Sequence, residues 1–183
     1  SIISYVSYPT IFHLISHLSN KSGVSYVLIG GFAVNYYKVS RQTADVDFLI
    51  TREDFNKISN ELKKAGFAPD RIEEVFARFK GNKHYLMDID FMFVDKETLD
   101  KIIKDGKEIS IAKQKFIVPS LNTLIALKLH AIKYNPKLRE YKDLPDIINL
   151  IRTNKVDYKN KEFREICLKY GTEELYKKII KEA

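Results

Sequence analysis

The stretch that decides the reading of this chain is Leu28-Ile29-Gly30-Gly31-Phe32-Ala33-Val34-Asn35-Tyr36-Tyr37, followed after three residues by Arg41-Gln42-Thr43-Ala44-Asp45-Val46-Asp47-Phe48-Leu49-Ile50. An apolar run, Tyr26 to Ile29, stops at two glycines and opens into a short helical pattern. Glycine lets a backbone or a ligand approach closely, and a helix N-terminus presents free N–H groups to phosphate oxygens. Asp45 and Asp47 stand two apart in the next strand, where side chains alternate. Both carboxylates therefore project from one face, and Val46 and Phe48 from the other. Two carboxylates about 6 Å apart repel by roughly 3 kcal/mol at an effective dielectric near 20, and strands disfavour aspartate. A hard divalent cation such as magnesium turns that repulsion into binding.

A second aspartate pair lies downstream, in Tyr85-Leu86-Met87-Asp88-Ile89-Asp90-Phe91-Met92-Phe93-Val94. Asp88 and Asp90 share one face of this strand; Met87, Ile89 and Phe91 share the other. One Asp-x-Asp strand is weak evidence, because exposed edges carry such residues. Two of them in one core, behind a Gly-Gly turn, point to a cation and polyphosphate site. Asp90 is the expected third carboxylate, and Asp88 is the alternative.

Outward from this centre the pattern is mixed. Helices are expected over Pro9–Lys21, Phe32–Tyr37, Asp54–Ala65 and Lys96–Lys104. Strands are expected over Tyr26–Ile29, Val46–Ile50, Arg71–Phe79 and Tyr85–Val94, with two short ones at Glu108–Ile111 and Phe116–Val118. After Pro119 every segment reads as helical: one helix from Ser120, one over Asp143–Arg152, and two near Lys161–Tyr170 and Thr172–Lys181. The expected architecture is an α/β (α+β) core with a mixed sheet flanked by helices over residues 1–118, then a helical lobe over 119–183. The strand order is not fixed by these patterns.

Composition narrows the class. In 183 residues, 45% are hydrophobic and 30% charged, which suits a globular domain with a core of its own. No segment has the apolar length of a membrane span, and Ser1–Thr10 has no basic region or cleavage site of a secretory signal. The single cysteine, Cys167, excludes an internal disulfide and a cysteine-based zinc site, so a cytoplasmic location is expected. His13 and His17 have helical spacing but no further ligand, so zinc is not expected there, and neither His84 nor His130 adds one. The net charge of +7 is unevenly spread: residues 51–100 carry 11 acidic and 9 basic groups, residues 101–150 carry 5 and 10. A basic C-terminal part beside an acidic site suits a polyphosphate or RNA partner. It equally describes a lysine-rich solvated surface.

The Gly-Gly turn, the Asp-x-Asp strand and a later carboxylate strand together resemble the nucleotidyltransferase superfamily of the DNA-polymerase-β type. Thirteen residues, Phe32 to Ala44, separate Gly31 from Asp45. The form Gly-Gly…Arg-x-Thr-x-Asp-x-Asp is similar to the AbiEii/AbiGii toxin branch, and small antibiotic nucleotidyltransferases share this stretch. That branch also carries a lysine in an apolar helix, here Lys128 in Leu124-Ile125-Ala126-Leu127-Lys128-Leu129, and a later Lys-Asp-x-x-Asp, here Lys142, Asp143 and Asp146 around Pro145. The resemblance spans roughly Val24 to Leu150.

It implies a nucleotidyltransferase fold and transfer of a nucleoside monophosphate from a nucleoside triphosphate (NTP) such as ATP to a hydroxyl on RNA, tRNA, a protein or a small molecule. Asp45, Asp47 and Asp90 would hold two magnesium ions and act in catalysis. Gly30 and Gly31 would seat the phosphates, Thr43 would orient Asp45, and Arg41, Lys128, Lys142, Asp143 and Asp146 would contact or enclose the nucleotide. A toxin–antitoxin setting would add a cognate antitoxin as partner, with no membrane involved. Some of these residues also have a plainer reading: Arg41 at the surface, Lys128 snorkelling to solvent, and Lys142 with Asp146 as a helix i,i+4 pair. The alternative functions are a non-catalytic nucleotide- or RNA-binding protein on the same fold, such as an antitoxin, and an unrelated RNA-binding α/β module.

Overall fold

The computed structural model describes residues 8–82 and 86–183. The segment 1–7, His84, and Tyr85 at the head of the expected fourth strand lie outside the described residues. The chain divides into two compact units. The first takes the described residues up to Gly30 and Thr43–Val118; the second takes Gly31–Gln42 and Pro119–Ala183. Residues 31–42 thus count with the helical unit rather than with the sheet they interrupt in sequence.

The first unit begins with α1 (Ile11–Ser22) and β1 (Tyr26–Ile29). Helix α1 starts after Thr10, whose side chain accepts from the His13 amide at 3.3 Å, so Pro9 precedes the cap instead of entering the first turn. Gly23, at φ 63°, ends it. The chain returns from the second unit at β2 (Asp45–Ile50) and α3 (Arg52–Lys64). The latter begins two residues before the expected Asp54, because Thr51 caps it through the Asp54 amide at 3.1 Å. Such a cap contributes about 1 kcal/mol.

The expected single strand Arg71–Phe79 is two antiparallel strands, β3 (Phe67–Ile72) and β4 (Phe76–Gly81), joined by a tight turn closed by Glu73 N–H to Phe76 O at 2.7 Å. Only Phe67 of β3 is buried, so no apolar alternation marks this strand in the sequence. It lies at the sheet edge, where Pro69 is tolerated and a register shift follows it. Then come β5 (Asp88–Phe93), α4 (Lys96–Asp105), and the hairpin β6 (Lys107–Ile111) with β7 (Gln114–Val118). The main sheet has the order β1-β2-β5-β4-β3, with β2 and β5 parallel at its centre and all other pairs antiparallel; β6 and β7 form a separate two-stranded sheet.

Alternation sorts the central strands. Val46, Phe48, Ile89, Phe91, Ala77 and Phe79 are all at most 1% exposed. Phe55 of α3 packs among Phe79, Phe91 and Phe93 with ring centroids 4.9–5.8 Å apart. Burying each such ring stabilises the sheet by roughly 1.5–3 kcal/mol. The opposite face of the same strands carries Asp45, Asp47, Arg78, Lys80, Asp88 and Asp90, together with buried Leu49.

The second unit carries α2 (Gly30–Tyr36), whose first residue belongs to the sheet unit, and four further helices: α5 (Leu121–Tyr134), α6 (Pro136–Thr153), α7 (Lys161–Tyr170) and α8 (Glu173–Glu182). The expected helix Asp143–Arg152 starts seven residues earlier and runs straight through Pro145. Its first turns, Pro136 to Tyr141, are largely solvated, with Leu138 and Tyr141 exposed, so they carry no apolar period. Pro145 removes the bond that Tyr141 C=O would accept, and at so exposed a position water can take that role. Leu124, Ile125, Leu129, Ile147, Ile151, Phe163, Cys167 and Ile179 form the core of this unit. Tyr37 O–H donates to Pro119 O at 2.6 Å, and Asn154 Nδ2 donates to Tyr37 O at 3.0 Å. These bonds tie the 31–42 segment to the start of the helical region and to the end of α6.

Candidate active site

The parallel pairing of β2 with β5 sets Asp45 directly across from Asp88 and Asp47 directly across from Asp90. Directly paired residues share a face, so all four carboxylates project from the side opposite the phenylalanine core. Asp88 is turned towards the end of β4, where its Oδ1 accepts from the Gly81 amide at 3.1 Å. Thr43 Oγ1 donates to the backbone carbonyl of Asp45 at 2.9 Å. It therefore steers the strand entrance rather than the Asp45 carboxylate, which is how the sequence expectation for Thr43 is modified.

Gly30 closes one side of the cluster. Its φ is +67°, and a Cβ built there would stand 2.1 Å from Oδ2 of Asp47. Ile29, its neighbour, is paired with Asp47 across β1 and β2. The glycine is thus required twice over, by left-handed backbone and by contact with the carboxylate. Gly31 follows inside α2 and is buried.

An arginine stands at the middle of the cluster. Arg78 of β4 is paired with Asp90 across the sheet. Its Nε and Nη2 fork onto the Asp90 carboxylate at 2.7 and 3.0 Å, and Nη2 also reaches Asp45 Oδ2 at 2.8 Å. The pKa of the guanidinium is raised, first by the hydrogen bond to Asp90 and, against the opposing effect of burial, by the charges of Asp90, Asp45 and Asp88. Sequence reading missed Arg78. It sits in a stretch read as one strand, from which the register that sets it opposite Asp90 could not be drawn.

In the helical unit a second charged network forms. Lys128 of α5 is 5% exposed. Its Nζ bonds Asp143 Oδ1 at 2.9 Å and Asp146 Oδ2 at 2.8 Å. Arg139, one turn before Asp143 on α6, bonds that carboxylate's other oxygen at 2.7 Å, and Arg41 bonds Asp146. The early start of α6 is what places Arg139 on the same helix as Asp143. Arg41 is further held by its own amide, which donates to Asn35 Oδ1 at 2.9 Å. Four expected residues, Arg41, Lys128, Asp143 and Asp146, are thus brought together, and Lys142 is exposed. Asp146 bonds Lys128 and Arg41, so its charge is matched without an i,i+4 bond to Lys142.

A family model described as nucleotidyl transferase AbiEii toxin, type IV TA system, matches residues 18–183. The chain belongs to this AbiEii nucleotidyltransferase family. It is accordingly a nucleotidyltransferase enzyme, as the resemblance implied. No curated protein matches it. Among solved structures it is similar to the lincosamide antibiotic adenylyltransferase LnuA, crystallised with lincomycin bound, at a TM-score of 0.53 and 16% identity over 75% of this chain and 92% of that one. It is similar to ANT(2'')-Ia, in complex with adenylyl-2''-tobramycin, at a TM-score of 0.62 and 13% identity over 86% and 93%. An antigenic nucleotidyltransferase-like protein from Paracoccidioides brasiliensis aligns at a TM-score of 0.55 and 15% identity over 92% and 89%. At these identities the likeness establishes the nucleotidyltransferase fold, and the AbiEii assignment rests on the family model.

Nucleotidyl transfer in the AbiEii family implies a divalent cation. The donor chemistry fits one: Asp45, Asp47 and Asp90 supply only hard carboxylate oxygens, on one sheet face, beside a glycine that leaves them room. The side-chain positions fit less well. Among the described residues no three Asp, Glu, His or Cys side chains are gathered to hold an ion, and Arg78 stands between Asp45 and Asp90. Arg78 is thus a competitor for the lone pairs that a cation would use. Also among the described residues, no helix is long and apolar enough to cross a membrane.

Proposed function

We propose that this AbiEii-family enzyme transfers a nucleoside monophosphate from an NTP to a hydroxyl acceptor, with Asp45, Asp47 and Asp90 as its magnesium-binding catalytic carboxylates. The observation that carries the reading is the in-register pairing of two Asp-x-Asp strands at the sheet centre. Bound magnesium, two ions by analogy with the superfamily, would neutralise the triphosphate and stabilise charge on the transferring phosphoryl group. Asp45 and Asp47, fixed on β2, and Asp90 on β5 would hold the ions. Asp90 takes the proton of the attacking hydroxyl as its oxygen bonds the α-phosphorus and the bond to the β-phosphate oxygen breaks, releasing pyrophosphate. Asp90 is favoured over Asp88 because Asp88 is engaged with the Gly81 amide, whereas Asp90 shares a partner with Asp45.

Gly30 and Gly31 admit the phosphates close to the backbone. In the helical unit, three cations against two carboxylates leave the Arg41–Lys128–Arg139 network with a surplus positive charge suited to nucleotide phosphates. Lys128 and Asp143 serve it from within, by fixing the exposed portions of Arg41 and Arg139, while exposed Lys142 contributes charge alone. The basic excess of the C-terminal part favours an RNA acceptor, such as tRNA, in the cytoplasm. The toxin description of the family favours a cognate antitoxin as partner.

Calorimetric titration of ATP, GTP, CTP and UTP with magnesium, on the wild type and on Asp45→Asn/Asp47→Asn, tests the core of this reading. Magnesium-dependent NTP binding by the wild type and its loss in the variant are expected. Equal binding by both proteins, or binding indifferent to magnesium, refutes the carboxylate assignment. Incubation of total RNA with α-phosphate-labelled NTPs then tests the acceptor, and label transfer to protein or small molecules alone removes the RNA reading.

A further inference from the structure

Arg78 bonds two of the carboxylates assigned above to the metal, and one nitrogen, Nη2, serves both: Asp45 Oδ2 at 2.8 Å and Asp90 Oδ2 at 3.0 Å. A guanidinium and a divalent ion compete for those oxygens: both are cations, and each lone pair spent on one is withheld from the other. The arginine is also placed to leave. Its side chain is 30% exposed and that of Asp45 29%, so one side of the pair already meets solvent. Nor is it there by accident of a long side chain, since β4 register sets its Cα directly opposite Asp90.

We propose that Arg78 is a positioning residue that acts as an internal counter-ion, holding Asp45 and Asp90 together before the divalent cation arrives and being displaced by it. The proposal rests on the metal-binding reading of the aspartates. It adds a competitor to that site, so that the ion's affinity is set partly by what it must expel. Without a counter-ion, four carboxylates on two adjacent strands would repel across the sheet centre. With it, the cation-free fold is stable at the expense of metal affinity.

Manganese titration calorimetry without nucleotide, together with thermal melts in chelator, tests this on the wild type, Arg78→Gln and Arg78→Lys. Arg78→Gln is expected to bind manganese about tenfold more tightly or better, since a charge-assisted fork no longer competes. It is also expected to melt lower in chelator, with manganese restoring much of the loss. Arg78→Lys, which keeps the charge but cannot fork, guards against loss of fold and should fall between wild type and Arg78→Gln in manganese affinity. A purely structural arginine would lower metal affinity when removed. Binding by both variants no tighter than wild type, or absent, therefore overturns the proposal. Asp45→Asn/Asp47→Asn in the same titration separates the two claims: binding unchanged there condemns the carboxylate site itself, while binding lost there with Arg78 variants unimproved condemns only the counter-ion.

Discussion

A Cβ on residue 30 would stand 2.1 Å from Oδ2 of Asp47, far inside van der Waals contact. Gly30→Ala must therefore move either the turn or the carboxylate, and it also places a side chain at φ +67°, which costs roughly 1–2 kcal/mol. The expected result is a folded protein with a lowered melting temperature and nucleotidyl transfer reduced by about two orders of magnitude, read from thermal melts and initial rates. Wild-type rates in Gly30→Ala would show that Asp47 does not need its present position.

Asp88 and Asp90 are separable by experiment. Asp90→Asn should cost transfer about a hundredfold or more, since several kcal/mol of charge stabilisation is at stake. Asp88→Asn loses only a carboxylate bond to the Gly81 amide and should retain most of the rate. The reverse ranking in initial-rate measurements would transfer the catalytic role to Asp88.

Lys128 is the sole cation bonded to both Asp143 and Asp146 among the described residues, and Asp143 is fully buried. Lys128→Met leaves a buried carboxylate held only by Arg139 at its far oxygen. Breaking one side of such a pair typically costs about 3–5 kcal/mol, which urea denaturation would detect. Lys128→Met/Asp143→Asn should recover part of that loss. A single variant as stable as wild type would mean that Lys128 is not the internal brace described above.

Burial pushes the Cys167 thiol up from its ordinary 9.0 to about 12, and burial followed by the neighbouring Tyr36 lifts the Tyr37 phenol from 10.0 to about 12. Both are acids held neutral by the fold. Their stabilisation is complete below the unfolded values and fades as the unfolded chain ionises between pH 9 and 12. Unfolding free energy should therefore fall over that range, less steeply in Cys167→Ala. At pH 8 the native thiol should react with Ellman's reagent far more slowly than the unfolded one.

The carboxylate cluster was legible because strand alternation is a local property: Asp45 with Asp47, and Asp88 with Asp90, declare a shared face from two-residue spacing alone. The Gly30 turn was legible for the same reason. Arg78 was not, since the pattern merged β3 and β4 into one strand, and the register that sets Arg78 opposite Asp90 could not be drawn from it. The start of α6 escaped because Pro136 to Tyr141 is solvated and leaves no apolar stripe. The hairpin at Ala112 and Lys113 turns through φ values of 50° and 61° without a glycine to announce it. The two short strands around it were still found, because Phe116 and Val118 alternate into the core.

The parallel partner of β2 is β5, and three elements, α3, β3 and β4, must be threaded before Asp47 meets Asp90. Arg41 waits longer still for Asp146, 105 positions later. A nascent chain that has left the ribosome only as far as its first aspartate pair thus has neither the completed acid cluster nor the helical charge network. Translation products that stop before Asp90 lack the acid cluster, and those that stop before Asp146 lack the helical charge network, so each charge cluster exists only once the chain has passed its later partner.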